Sequence, residues 1–206
     1  MLNSLSTFKE NIRSVRDLGI LHDYLVANIK SPMDFTDLLR SQIVYSVSAL
    51  DKLIHDIIRI GVVDIFIGKR SPTPRYLSES ISLDVYNSMN SSTIPPKEYY
   101  FEKHLTNRIK RVSYQHPNNI ADGLSYIWTE KHKWQAISKA MGSNSDDVKR
   151  ELILIVDRRN LIVHGADVDI QTRQKLIITK ADCDGTIAFI ENCGKNIVRL
   201  VEPVAL

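Results

Sequence analysis

Apolar positions recur along this chain at helical spacing almost from end to end. Leu5, Phe8, Ile12, Val15 and Leu18, then Leu21, Leu25 and Ile29, fall three or four residues apart and line one helical face. The spacing predicts a first helix over 3–29, with Gly19 as a point where it bends or divides. A second helix is predicted from "SPMDF", with Ser31 as N-cap and Pro32 at the first position, where its missing N–H costs nothing. Its stripe of Ile43, Val47, Leu50, Ile54, Ile57 or Ile58, Gly61 and Ile65 carries it to about Gly68, where "GKRSPTPR" predicts a loop. Residues 75–141 read as several short helices. "SNSDDVKRELILIVDRRNLIVHGAD" predicts a strong helix capped by Ser145, with Asp146 and Asp147 at its positive end and Gly165 as its stop. The last helix opens on a capping box, Thr179 with Asp182, and runs to about Glu202 before Pro203. Only "KLIIT" hints at a strand. The predicted architecture is all-α: one domain over 1–206, a helical bundle with a long second helix and additional short helices.

Composition changes this picture little. Hydrophobic residues are 43% and charged residues 25% of the 206, ordinary for a globular protein able to bury a core without metals or disulfides. Cys183 and Cys193 lie in one predicted helix, about 15 Å apart along its axis, too far to bridge. Unbridged cysteines predict a reduced, cytoplasmic protein. The start has no basic segment followed by an apolar run, and "IIRIGVVDIFIG" is too short and too charged to span a bilayer, so no membrane partner is expected. A net charge of +3 permits a nucleic-acid partner without demanding one. No Gly-rich phosphate loop, nucleophile elbow or HExxH occurs, and "DCDG" lacks the later positions of a calcium loop, so no metal and no cofactor is expected.

The chemistry concentrates in "VDRRNLIVHGAD". On a helical wheel Leu152, Ile155, Val156 and Val163 form an apolar stripe that also carries Arg159, while Ile153, Asp157, Asn160 and His164 share a neighbouring face. A guanidinium on a buried stripe is expensive unless something pairs with it. Two readings stay open: a structural salt bridge or a stripe end open to water, and a cleft or subunit interface where Arg159 and His164 face an anion. Spacing alone does not decide, because Arg16–His22, Arg111–His116, Arg158–His164 and Arg159–His164 all share it. Context does. Only "RRNLIVHGAD" places an amide directly after the arginine, apolar residues between, and histidine at a helix end.

That form closely resembles the HEPN superfamily pattern Arg-Asn-x-x-x-His. "SVSALDKLIHDII", "WQAISKAMG" and "IITKADCDGTIAFI" narrow the resemblance to the RiboL-PSP-HEPN branch, over roughly residues 5–202. The resemblance implies an all-helical bundle, a homodimer that brings two motifs together, and metal-independent cleavage of RNA to a 2′,3′-cyclic phosphate and a 5′-hydroxyl. It implies His164 as the proton-transfer group and Arg159 as the phosphate grip, supported by Asn160, Asp157 and the acid–histidine pair Asp51 and His55. It also implies a toxin or antiviral defence setting, with an inhibitory antitoxin or a larger defence complex holding the enzyme silent.

Each residue also has a plain structural reading. Asp51 and His55 stand i,i+4 and stabilise a helix locally. Arg158 reads as a solvated or interface charge before a second phosphate grip. Arg108, Lys110 and Arg111, in "RIKRVSYQH" after "YYF", mix charge and aromatics as single-stranded RNA tracks do, and equally form a solvated basic face. Arg159 and His164 are five residues apart, about 140° around a regular helix, so they converge only if the helix end loosens or a second copy closes the gap. The competing function is a non-catalytic HEPN-like module that binds RNA, nucleotide or a partner protein.

Overall fold

The computed structural model describes residues 1–30, 32–91 and 93–202, and among them finds nine helices and no strand. The first helix, α1 (Leu2–Asn28), runs unbroken through Gly19. A Cβ at Gly19 would come within 2.8 Å of the Gln42 amide, which donates to the Val15 carbonyl at 2.9 Å. The glycine therefore marks a close approach between helices and not a bend. Phe8, Ile12 and Val15 are buried, but Leu21 and Ile29 are 44% and 45% exposed. Leu18 and Leu25 of the same stripe are part-buried, so burial along the predicted face weakens towards this end of α1.

The spine is α2 (Thr36–Phe66), which buries residues from Leu39 to Ile65. Pro32 lies outside it, and Ser31 falls outside the described residues. The start is fixed instead by Asp34, whose carboxylate accepts from the Thr36 N–H and hydroxyl at 2.8 Å each. The same hydrogen bonds pull the Asp34 carboxyl below the usual carboxylate range. Gly68, at φ 77°, turns the chain into the expected loop.

Short helices follow: α3 (Pro74–Leu77), α4 (Leu83–Ser91), α5 (Lys97–Ile109), α6 (Pro117–Leu124) and α7 (Lys133–Ala140). Phe101, Leu105 and Ile109 dock α5 on the core, whereas α4 buries nothing of its own. The long α8 (Ser145–Gly165) is capped by Asn144, not Ser145, because the Asn144 side chain accepts from the Asp146 and Asp147 N–H groups. Thr179 and Asp182 form the expected capping box at the start of α9 (Lys180–Val201); Pro203 lies outside the described residues. In place of a strand at "KLIIT" there is one antiparallel bridge, Val168 with Lys175, within the tongue 166–178 that joins α8 to α9.

One apolar cluster joins α1, α2, α5, α6, α7, α8 and α9 around α2. Each fully buried side chain such as Phe8 or Ile57 stabilises it by about 1.5–3 kcal/mol. A smaller cluster of Leu39, Ile43, Ile178 and Cys183, with Ile162 against it, holds the base of the tongue. Both cysteines are free and buried, and burial pushes each thiol up to about 12. No described helix is long and apolar enough to cross a membrane.

Candidate functional site at the end of α8

Val148, Leu152, Ile155 and Val156 anchor α8, and no later residue of the helix is buried. Val163, expected on the buried stripe, is 46% exposed. The fully buried positions of α8 end at Val156, two residues before the first arginine, so α8 does not carry the pair into the core. It carries them out along α2.

The two arginines then part. Arg158 donates to the Asp167 carboxylate at 2.8 Å and to the Ile177 carbonyl at 3.1 Å. Arg40 of α2 reaches the same carboxylate oxygen at 2.7 Å and the Leu176 carbonyl at 2.8 Å. Asp167 is wholly buried, at 0% exposure, between the two guanidinium groups. Two planar cations on one buried carboxylate form a clasp that pins the tongue to α2 and α8. Arg158 is thus held in an ion pair within the chain and is not the free solvated charge expected.

The clasp also sets how α8 ends. Ala166 and Asp167 are left-handed, at φ 52° and 60°, and the Ala166 and Asp167 N–H groups both close onto the Leu161 carbonyl. Gly165, expected as the stop, stays within the helix, and Ala166 takes the reversing conformation. Non-glycine residues rarely adopt it, and here the buried Asp167 side chain compensates for the strain.

Arg159 has no carboxylate within ion-pair distance among the described residues. Its one hydrogen bond runs to the Asn160 side-chain oxygen at 2.9 Å, and its Nε is buried without a partner. It is half-buried, on the side of α8 that carries Leu152 and Val156. His164 and Asp157 are exposed, and neither has a hydrogen-bond or ion-pair partner among the described residues. Asn160 shares their face but bonds to Arg159, not to His164. Because α8 stays helical to Gly165, Arg159 faces the bundle and His164 faces solvent.

Asp51 and His55 lie elsewhere on α2. The Asp51 carboxylate accepts the Tyr114 N–H at 2.6 Å and stands 3.7 Å from His55 Nε2. The His55 ring packs edge-on against Tyr114, with centroids 4.7 Å apart. The pair thus braces the turn between α5 and α6, and it lines a cavity of about 320 Å³ with Arg59, Thr106 and Lys110. No hydrogen bond or ion pair among the described residues joins Asp51 or His55 to the end of α8. Of the basic stretch, Arg108 is ion-paired with Glu79. Lys110 and Arg111, just past α5, are exposed and lack acidic partners among the described residues.

Sequence reasoning missed Arg40 and Asp167. Asp167 stands in the quoted motif, but its second partner is 127 residues away and no local pattern links them.

A family model described as RiboL-PSP-HEPN matches residues 7–203, nearly the whole chain. No curated protein and no solved structure shows a significant match.

Proposed function

The chain belongs to the RiboL-PSP-HEPN family, and from that membership, which points to ribonuclease-type activity in general, we propose that it is a metal-independent endoribonuclease acting as a homodimer. One observation carries the reading: beside an arginine that is ion-paired with Asp167, Arg159 has no counterion among the described residues, and an exposed histidine follows five positions along the chain. An unpaired, half-buried guanidinium is a standing cost to the fold, and a phosphodiester relieves it.

In the reaction the ribose 2′-oxygen attacks the adjacent phosphorus and the bond to the 5′-oxygen breaks. The 2′-OH proton passes to a neutral His164 imidazole, and a protonated His164 supplies the proton that the departing 5′-oxygen takes up. Arg159 donates to the non-bridging oxygens, whose negative charge grows in the transition state. Asn160 holds the guanidinium by accepting one of its N–H groups. The products are a 2′,3′-cyclic phosphate and a 5′-hydroxyl, with no net redox change.

Arg159 and His164 diverge by about 140° on one regular helix, so a second copy completes the site: Arg159 of one protomer serves with His164 of the other. A toxin or defence role, with an inhibitory partner, follows from the family and not from any residue. Growth arrest on expression of the wild type, absent with His164→Ala, is the expected sign of it.

The test is incubation of the purified protein with RNA in EDTA. Cleavage should survive chelation, fall about 10²–10⁴-fold in His164→Ala and about 10²–10³-fold in Arg159→Ala. RNA binding without cleavage by the wild type would support the non-catalytic module instead.

A further inference from the structure

Three cavities, of about 310, 400 and 320 Å³, follow one another along the solvent side of α2. The first is bounded by Arg40, Val44, Ile162, Ala166 and Lys175, at the tail of α8 and the tongue. Tyr45 lines both it and the second, whose floor between α1 and α2 is Val15, Leu18 and Ala49. Lys52 lines both the second and the third, where Asp51, His55, Arg59 and Lys110 stand. Shared walls make one furrow from Asp37 to Arg59, about 33 Å along the helix axis. Arg159 lines none of the three cavities, but Ile162, one turn further along α8, lines the first.

We infer that this furrow is the binding path of a single-stranded nucleic acid, with Tyr45 as a base-stacking platform and Lys52 and Lys110 as phosphate contacts. The inference rests on the ribonuclease reading for its biological sense, but its chemistry stands on the furrow. Tyr45 is 56% exposed, and its ring stands at the junction of two cavities above an apolar floor that suits base rings. Arg40, Lys52, Arg59, Lys110 and Lys175 line the walls with Asp37, Asp51 and Asp56; Arg40 is also held by Asp167 and Arg59 by Glu102, so Lys110 is the lining cation left without an acidic partner among the described residues. The acids are already engaged: Asp37 by Arg40 and Lys175, Asp56 by Lys52, and Asp51 by the Tyr114 N–H. The Lys52–Asp56 and Lys175–Asp37 pairs are exposed, so they are weak and exchange readily for phosphate. Arg111, next to Lys110 in the chain, likewise has no acidic partner among the described residues. Alternating cations and an aromatic platform form the recognition chemistry of an extended strand, because every base offers a π-face and every phosphate a charge. The furrow also unites two groups of residues that no hydrogen bond connects, the end of α8 and the Asp51–His55 cavity.

The test uses full-length protein and a fluorescently labelled single-stranded 2′-O-methyl oligonucleotide, which has no 2′-hydroxyl and cannot be cut by 2′-oxygen attack. Tyr45→Ala should weaken binding about 5- to 100-fold, and Tyr45→Phe should restore it. Lys52→Gln and Lys110→Gln should each reduce the slope of log affinity against log salt by about 0.7. A duplex of the same sequence should gain nothing from Tyr45. Unchanged affinity and salt slope in all these variants would overturn the inference. So would a Tyr45→Ala protein that binds normally but sediments at a different mass, since the furrow would then be a contact between copies. Binding along the furrow with no RNA cleavage would sink the enzyme reading alone, and cleavage with no dependence on Tyr45 would sink the path alone.

Discussion

Arg158 and Arg159 are adjacent in the chain, identical in chemistry and opposite in circumstance. On one side of α8, Arg158 and Arg40 close on a wholly buried Asp167, and the tongue is tied down over them. On the other, Arg159 meets, among the described residues, only a neutral amide, and beyond it Asp157 and His164 stand in solvent. The same helical turn is thus scaffold on one side and an available charge on the other. What separates them is the location of carboxylates. Charge without a counterion among the described residues, and not charge as such, marks the side we propose to be reactive.

The hardest blow to this contrast is Asp167→Ala. It removes the carboxylate shared by the buried Arg40 and the part-buried Arg158, leaving, among the described residues, Arg158 without an anion and Arg40 with only the exposed Asp37, and should destabilise the protein by about 3–5 kcal/mol, measured by denaturant unfolding. A loss well under 1 kcal/mol would mean that the closed side is not closed. Arg159→Ala is the counterpart. It should slow cleavage about 10²–10³-fold while shifting stability by no more than about 0.5 kcal/mol, because it removes no paired partner. Asn144→Ala, at the opposite end of α8, should cost about 1 kcal/mol through its lost cap and leave the relative roles of the two arginines untouched. The smallest effect is a reporter. Cys183 lies in the cluster beneath the clasp, donates to the Leu39 carbonyl at 3.4 Å, and has its thiol pushed up to about 12 chiefly by burial, with Asp182 and Asp184 adding to it. Folded protein at mildly alkaline pH therefore holds it as the unreactive thiol. It should resist thiol reagents in the wild type and in Arg159→Ala, and become reactive first in Asp167→Ala.

Helical periodicity made most of the fold legible, because burial on one face of each helix is written into consecutive residues. Helix ends were less so. Ser31 with Pro32 offered a better local start for α2 than Asp34 with Thr36, and Ser145 as good a cap as Asn144. Local chemistry ranks such neighbours almost equally, and packing chooses between them. Gly165 is the better left-handed residue by itself, yet Ala166 takes that role because burying Asp167 between two arginines fixes the turn. The wheel placed Arg159 on the apolar stripe correctly, but not where the core stops, since that depends on how far neighbouring helices reach. Nor could it tell which arginine is paired, because Arg40 is far away in the chain. Tyr45 gave no signal at all: an exposed tyrosine on a long helix means nothing until the trough beside it is seen.

The most direct measurement is metal-free cleavage by mixed protomers. Arg159→Ala and His164→Ala proteins are dissociated, combined in equal amounts and reassembled, and the release of 2′,3′-cyclic phosphate ends is followed in EDTA. Each parent should be inactive and the mixture should recover about a quarter of wild-type activity, since half the dimers are mixed and each of these holds one intact pair. A parent that cuts at the wild-type rate, or a mixture as inert as its parents, would contradict the account.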